Sequence, residues 1–97
     1  MKRIICLGFA AAALAASTPA LAQDLYGRAG AIEDRIDAAQ NDGSLSFGEA
    51  RMLRARLRGI ERTQRYYDVD GMRPWQARDL DRRFDRLSDT VSELSGY

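Results

Sequence analysis

From Leu25 to Leu94 the apolar residues of this chain recur at steps of three and four, which places one apolar stripe on each of three helices. The first run is Leu25, Ala29, Ile32, Ile36 and Ala39. The second is Ala50, Leu53, Leu57, Ile60, the polar Gln64 and Tyr67, and the third is Ala77, Leu80, Phe84, Leu87, Val91 and Leu94. Such spacing follows the turn of an α-helix, and no stretch shows the period of two of a half-buried strand. The stripe is narrow, nearer a coiled-coil seam than a broad globular face. The sequence therefore predicts an all-α domain with helices near 24–41, 46–67 and 74–94, arranged as a small antiparallel three-helix bundle or a helical hairpin with a third helix against it. Gly27 and Gly30 each cost about 1 kcal/mol against Ala in a helix, so the first helix is expected to fray at its start.

The breaks between the runs are short. "NDGSLS" (41–46) and "DVDGMR" (68–73) have turn compositions, with glycine available for the reversal. Ser46-Phe47-Gly48-Glu49 fits a capping box. Arg73-Pro74-Trp75-Gln76 is a poorer version, because Pro suits the first helical position but Arg caps weakly. Connections this short favour antiparallel neighbours. At an offset of 27 residues the second and third segments also look like copies of one unit. Ala50 matches Ala77, Arg51 matches Arg78 and Arg56 matches Arg83. Leu45/Met72, Glu49/Gln76, Leu53/Leu80, Leu57/Phe84 and Ile60/Leu87 are similar pairs.

The residues before the first helix have a different character. Lys2 and Arg3 precede an uncharged run from Ile4 to Ala16, Ser17-Thr18-Pro19 breaks it, and Ala20-Leu21-Ala22 ends in small residues. This is the layout of a secretory signal peptide over 1–22 with cleavage before Gln23. The run is too short for a bilayer span, which needs roughly 20 residues. The expected mature domain, 23–97, then has no membrane span and lies in the periplasm. It also loses Cys6, the only cysteine, and keeps no histidine. Without Lys2 and Arg3, 13 arginines stand against 14 carboxylates, a net charge of −1. Disulfides are excluded and zinc loses its two favoured ligands. An exported chain with no net positive charge is a poor match for nucleic acid. A domain this small must rely on helix packing, helped by self-association as a homodimer or by a protein partner.

Little in the mature segment points to catalysis or a cofactor. With His and Cys gone no nucleophile–base pair can be built, and the carboxylates sit on charged helix faces, so no enzyme activity is expected. Tyr66, Tyr67 and Trp75 read as an aromatic plug closing one end of the bundle. Calcium is the one metal worth testing against the pattern. An EF-hand loop carries oxygen ligands at positions 1, 3 and 5, Gly at 6 and a bidentate Glu at 12. With Gly71 at 6, Asp68 and Asp70 fall at 3 and 5, but Tyr66 and Ala77 occupy 1 and 12. With Gly43 at 6, Asp42 is at 5 and Glu49 at 12, but Ala38 and Gln40 occupy 1 and 3. The two turns thus resemble a degenerate EF-hand pair, and each offers only two ligands. Asp and Gly are equally the residues of a plain helix-to-helix turn.

Charge is the most specific feature left. Arg51, Arg54, Arg58, Arg62 and Arg65 fall within roughly an 80° arc of the second helix, well away from its apolar stripe. They are the candidate partner-binding residues, a stripe for an anionic partner such as lipopolysaccharide or an acidic protein. The repeat offers a second reading. Arg54, Arg58 and Arg62 correspond to Asp81, Asp85 and Asp89, so the stripe is expected to be consumed by pairing between the second and third helices, Arg58 level with Asp81 or Asp85 and Arg54 with Asp85 or Asp89.

"LSFGE" (45–49) and "MRPWQ" (72–76) resemble the L-T-x-x-Q signature of small periplasmic helical stress proteins, the Spy/CpxP group, through Leu45, Ser46, Glu49, Met72 and Gln76. The resemblance implies an all-helical exported protein that acts as an ATP-independent chaperone or a modulator of envelope-stress signalling, often as a cradle-shaped dimer. The expectation is a small exported helical binding protein of that kind; the alternatives are a structural helical protein without a ligand and a vestigial calcium binder.

Overall fold

A computed structural model describes residues 24–96. These form α1 (24–41), α2 (Phe47–Asp68) and α3 (Pro74–Ser95) with no strand among them. The all-α reading holds, and the helix limits agree with the apolar spacing to within a residue. The leader expected over 1–22 lies outside the described residues. No helix among the described residues is long and apolar enough to cross a membrane.

The turns explain where each helix stops. Gly43 takes φ +86°, and its N–H donates to Gln40 O at 3.2 Å while Leu45 N–H reaches Ala39 O. Asp42 Oδ1 accepts the Ser44 N–H at 2.8 Å, a side chain mimicking a backbone turn. Ser46 and Glu49 then start α2 with the full capping box: Ser46 Oγ accepts from Glu49 N–H, and Glu49 Oε1 accepts from Ser46 N–H. Gly71 (φ +85°) makes the second reversal, donating its N–H to Asp68 O. At α3 only half of the box forms. Gln76 Oε1 accepts the Arg73 N–H at 2.8 Å, and the guanidinium, which has no acceptor, cannot return the bond.

Fourteen apolar side chains make one buried core, and all but Leu45 come from the three stripes. Ile36, Leu53, Leu80, Phe84 and Leu87 are fully enclosed, and Ile60, Tyr67, Met72 and Leu94 border them. Each large side chain removed from water is worth about 1.5–3 kcal/mol. α1 is helical from residue 24 on, with Gly27 and Gly30 both on its exposed side. Consecutive helices are antiparallel, so α1 and α3 run parallel: Arg28 reaches Asp81 and Asp85, and seven residues later Arg35 reaches Ser88 and Ser92.

The repeat extends to the helix ends. Phe47 and Pro74 begin, and Asp68 and Ser95 close, two 22-residue helices separated by the 27-residue offset. One seam position breaks the equivalence. Gln64 stands where α3 has Val91; it is completely buried, and neither amide atom has a hydrogen-bond partner among the described residues.

Candidate functional site

Each helix has two flanks beside its buried stripe, and their pairing decides which charges are free. In an antiparallel pair, equivalent flanks meet. The flank of α2 carrying Arg56, Ile60 and Tyr67 meets the flank of α3 carrying Asp79 and Arg83, as the Tyr67 Oη–Asp79 Oδ2 hydrogen bond of 2.8 Å shows. The opposite flanks, with Arg54 and with Asp81 and Asp85, both turn toward α1.

This overturns the expected ladder between α2 and α3. Arg54 Nη2 pairs with Asp37 at 2.5 Å and also donates to Gln40 at 2.8 Å, both on α1. Asp81 and Asp85 are held instead by Arg28 of α1, which pairs with Asp81 and lies 2.6 Å from Asp85. Its guanidinium stands 5.8 Å from the centre of the Phe84 ring. Partial burial opposes the charge on Arg28, and the hydrogen bonds it donates to Asp85 and then Asp81 outweigh it, so its pKa is raised. Asp89 makes no ion pair with the described residues. The cause is α1: it presents Asp37 and Gln40 to α2 and Arg28 and Arg35 to α3, and so complements two flanks of opposite sign.

Of the five candidate partner-binding residues, the fold therefore occupies one. Arg51, Arg58, Arg62 and Arg65 are exposed and make no ion pair with the described residues, while Arg54 is engaged with α1.

Three of the four turn carboxylates that suggested calcium have structural tasks. Asp42 closes its turn on Ser44, Glu49 caps α2, and Asp68 accepts the Tyr26 hydroxyl at 2.9 Å. That hydrogen bond is the main reason the Tyr26 pKa is raised. Among the described residues no three His, Cys, Asp or Glu side chains come together as a metal site. The aromatic plug is only partly seated. Tyr67 is half-buried and meets Trp75 edge-on with ring centroids 5.7 Å apart, but Trp75 is 52% exposed and Tyr66 77% exposed. With Val69, also 77% exposed, Tyr66 and Tyr67 border a cleft of about 290 Å³ that runs on to Arg73 and Gln76.

A second cationic feature was not singled out from the sequence. On the outer side of the α2–α3 contact, Arg56, Gly59, Ile60, Arg83 and Arg86 line an open groove of about 340 Å³. Asp79 accepts from both Tyr67 Oη and Arg83 Nε, the latter at 3.0 Å. The bond from Tyr67 is the largest cause of a lowered Asp79 pKa, and the same bond raises that of Tyr67. The match of Arg56 to Arg83 in the repeat was the available signal. It becomes informative only once these flanks are known to meet.

Fold and surface together define a class: a closed, all-α three-helix bundle whose distinctive chemistry is arginine displayed on two outer surfaces. No protein-family model, no curated protein and no solved structure matches this chain.

Proposed function

We infer that this chain is a small exported binding protein, chaperone-like or concerned with envelope stress, that works without catalytic chemistry of its own. Its docking surface is the outer face of α2, and its partner is an anionic protein surface in the periplasm. The observation that carries this reading is the set of four exposed arginines, Arg51, Arg58, Arg62 and Arg65, which make no ion pair with the described residues. Arginine suits such a surface because its planar fork keeps its charge and binds carboxylates two-handed. Rim charges of this kind set association rate and salt dependence more than final affinity.

A second reading, direct holding of unfolded clients, is favoured by Tyr66, Val69 and Trp75, which expose apolar surface at one end of the bundle. One experiment separates the two. Aggregation of an acidic unfolded client is followed with the protein present and ATP absent, alongside variants Arg58→Gln/Arg62→Gln and Tyr66→Ser/Trp75→Ser. Protection lost in the arginine variant and weakened by salt supports the docking face. Protection lost only in the aromatic variant supports the second reading, and no protection from any form refutes both.

A further inference from the structure

The groove between α2 and α3 lies apart from the α2 stripe and raises a separate question. Arg56 and Arg83 are equivalent residues of the two repeat copies, and Arg86 stands between them on the same groove. Where the copies face α1 their charges are opposite, and α1 complements each. Where they face each other both copies carry Arg, at 56 and 83, and Arg86, which stands against Gly59 in the repeat, brings a third guanidinium group to the same open space. Only Arg83 is compensated, and only through Nε; its two Nη groups make no hydrogen bond with the described residues. Neither Arg56 nor Arg86 makes an ion pair with them. Like charges gathered without counter-charge weaken the folded state unless an anion joins them.

Two details make the groove a shaped site rather than a charged slope. The Tyr67–Asp79–Arg83 chain holds the Arg83 guanidinium by one edge and leaves its other edge, the two-pronged one, for a second acceptor. Gly59 keeps the wall between the arginines low. Neither packing nor backbone demands glycine there: its φ is not positive, and an added Cβ would approach only Arg62 Nη2, at 3.8 Å. Alanine would favour the helix, so open space in the groove is what the glycine supplies. A volume of about 340 Å³ falls at the small end of ligand sites, about 300–1,000 Å³.

We propose that Arg56, Arg83 and Arg86 form a binding site for a phosphate group, with Gly59 and Ile60 as its wall. Phosphate fits better than a carboxylate because it offers several oxygens and up to two charges to three forks. The group is either carried by a small soluble molecule or presented by a lipid head, and the test separates these sources.

Calorimetry with the full-length protein and pyrophosphate at near-physiological ionic strength should show saturable one-to-one binding. Arg56→Gln/Arg86→Gln should weaken it at least tenfold. Gly59→Leu, which keeps every charge and fills the groove, should weaken it to a similar degree, whereas Arg51→Gln/Arg58→Gln on the stripe should leave it within twofold. The same four proteins are then sedimented with phosphatidylcholine vesicles containing phosphatidic acid. Groove-dependent binding of pyrophosphate assigns a soluble ligand, and groove-dependent binding of vesicles alone assigns a lipid head. If neither probe binds, or if Gly59→Leu and the Arg56/Arg86 variant bind like the unaltered protein, the proposal is wrong. Loss in the stripe variant alone would equally overturn it, while leaving the α2 docking face in place.

Discussion

Compared residue by residue, α2 and α3 agree in length, in the position of their caps and in their buried seams, Ala50 with Ala77, Leu53 with Leu80 and Leu57 with Phe84. They differ in the core at Gln64 against Val91, and in the sign of their charges along the flank that faces α1. The shared features are those two helices need in order to pack on one another. The charge difference belongs to the third helix, which binds one copy through Asp37 and the other through Arg28. Two similar helices packed against a third that is split in charge need opposite charges where that third helix lies. On the far side both carry Arg at one equivalent pair, Arg56 and Arg83, while Gly59 stands against Arg86 and Tyr67 against Leu94.

The largest effect is expected where the copies differ inside the core. Making α2 resemble α3 by Gln64→Leu removes a buried amide with no partner among the described residues. It should add about 1–3 kcal/mol, or about 4–8 °C in melting temperature for each kcal/mol in a domain of this size. A thermal melt reads this directly. Destabilisation would mean that the amide is satisfied in solution and that the seam requires it.

A smaller effect separates the two flanks. Arg28→Gln should cost roughly 1 kcal/mol, because it frees Asp81 and Asp85 on partly exposed ground where each pair is worth about 0.2–1 kcal/mol. The loss should shrink at high salt. Arg58→Gln/Arg62→Gln should stay within about 0.5 kcal/mol, as surface changes without a partner do. Equal losses at both places would erase the distinction between paired and free arginines.

The smallest effect belongs to the Tyr67–Asp79 bond, which α3 does not reproduce because Leu94 stands at the position equivalent to Tyr67. The raised Tyr67 pKa gives stability that is complete below about pH 10, the ordinary tyrosine value, and is lost as pH rises through the raised one. For Asp79 the sign reverses. Its lowered pKa gives stability present above about pH 4 and lost as pH falls through the depressed value. Tyr67→Phe should return the Asp79 carboxyl toward its ordinary range in an NMR titration and soften the alkaline loss of stability. An unmoved Asp79 would show that the neighbouring arginines, Arg83 and Arg82, set it without Tyr67.

The helices and their caps were legible because each is a local matter. Ser46 and Glu49 sit three apart wherever the bundle goes, and Phe84 falls on the stripe whatever covers it. The partner of Arg54 was not local. A centred apolar stripe leaves both flanks equally able to meet their equivalents, so the sequence of α2 and α3 alone allowed the wrong pairing as readily as the right one. α1 carried the missing signal, with Arg28 and Arg35 on one side of its stripe and Glu33, Asp37 and Gln40 on the other. A helix split in this way is built to lie between a basic flank and an acidic one. The groove of Arg56, Arg83 and Arg86 stayed hidden for the same reason, since it exists only on the flanks that do meet.

α1, rather than α3, takes up the charge of the inner flank of α2. Two double-mutant cycles test it most directly, one on Arg54 with Asp37 and one on Arg54 with Asp85, each read by denaturant unfolding. A coupling of roughly 0.5–1 kcal/mol is expected for Arg54 with Asp37, within the range of exposed pairs, and none beyond error for Arg54 with Asp85. Coupling to Asp85 without coupling to Asp37 would restore the α2–α3 ladder and contradict the arrangement of charges described above.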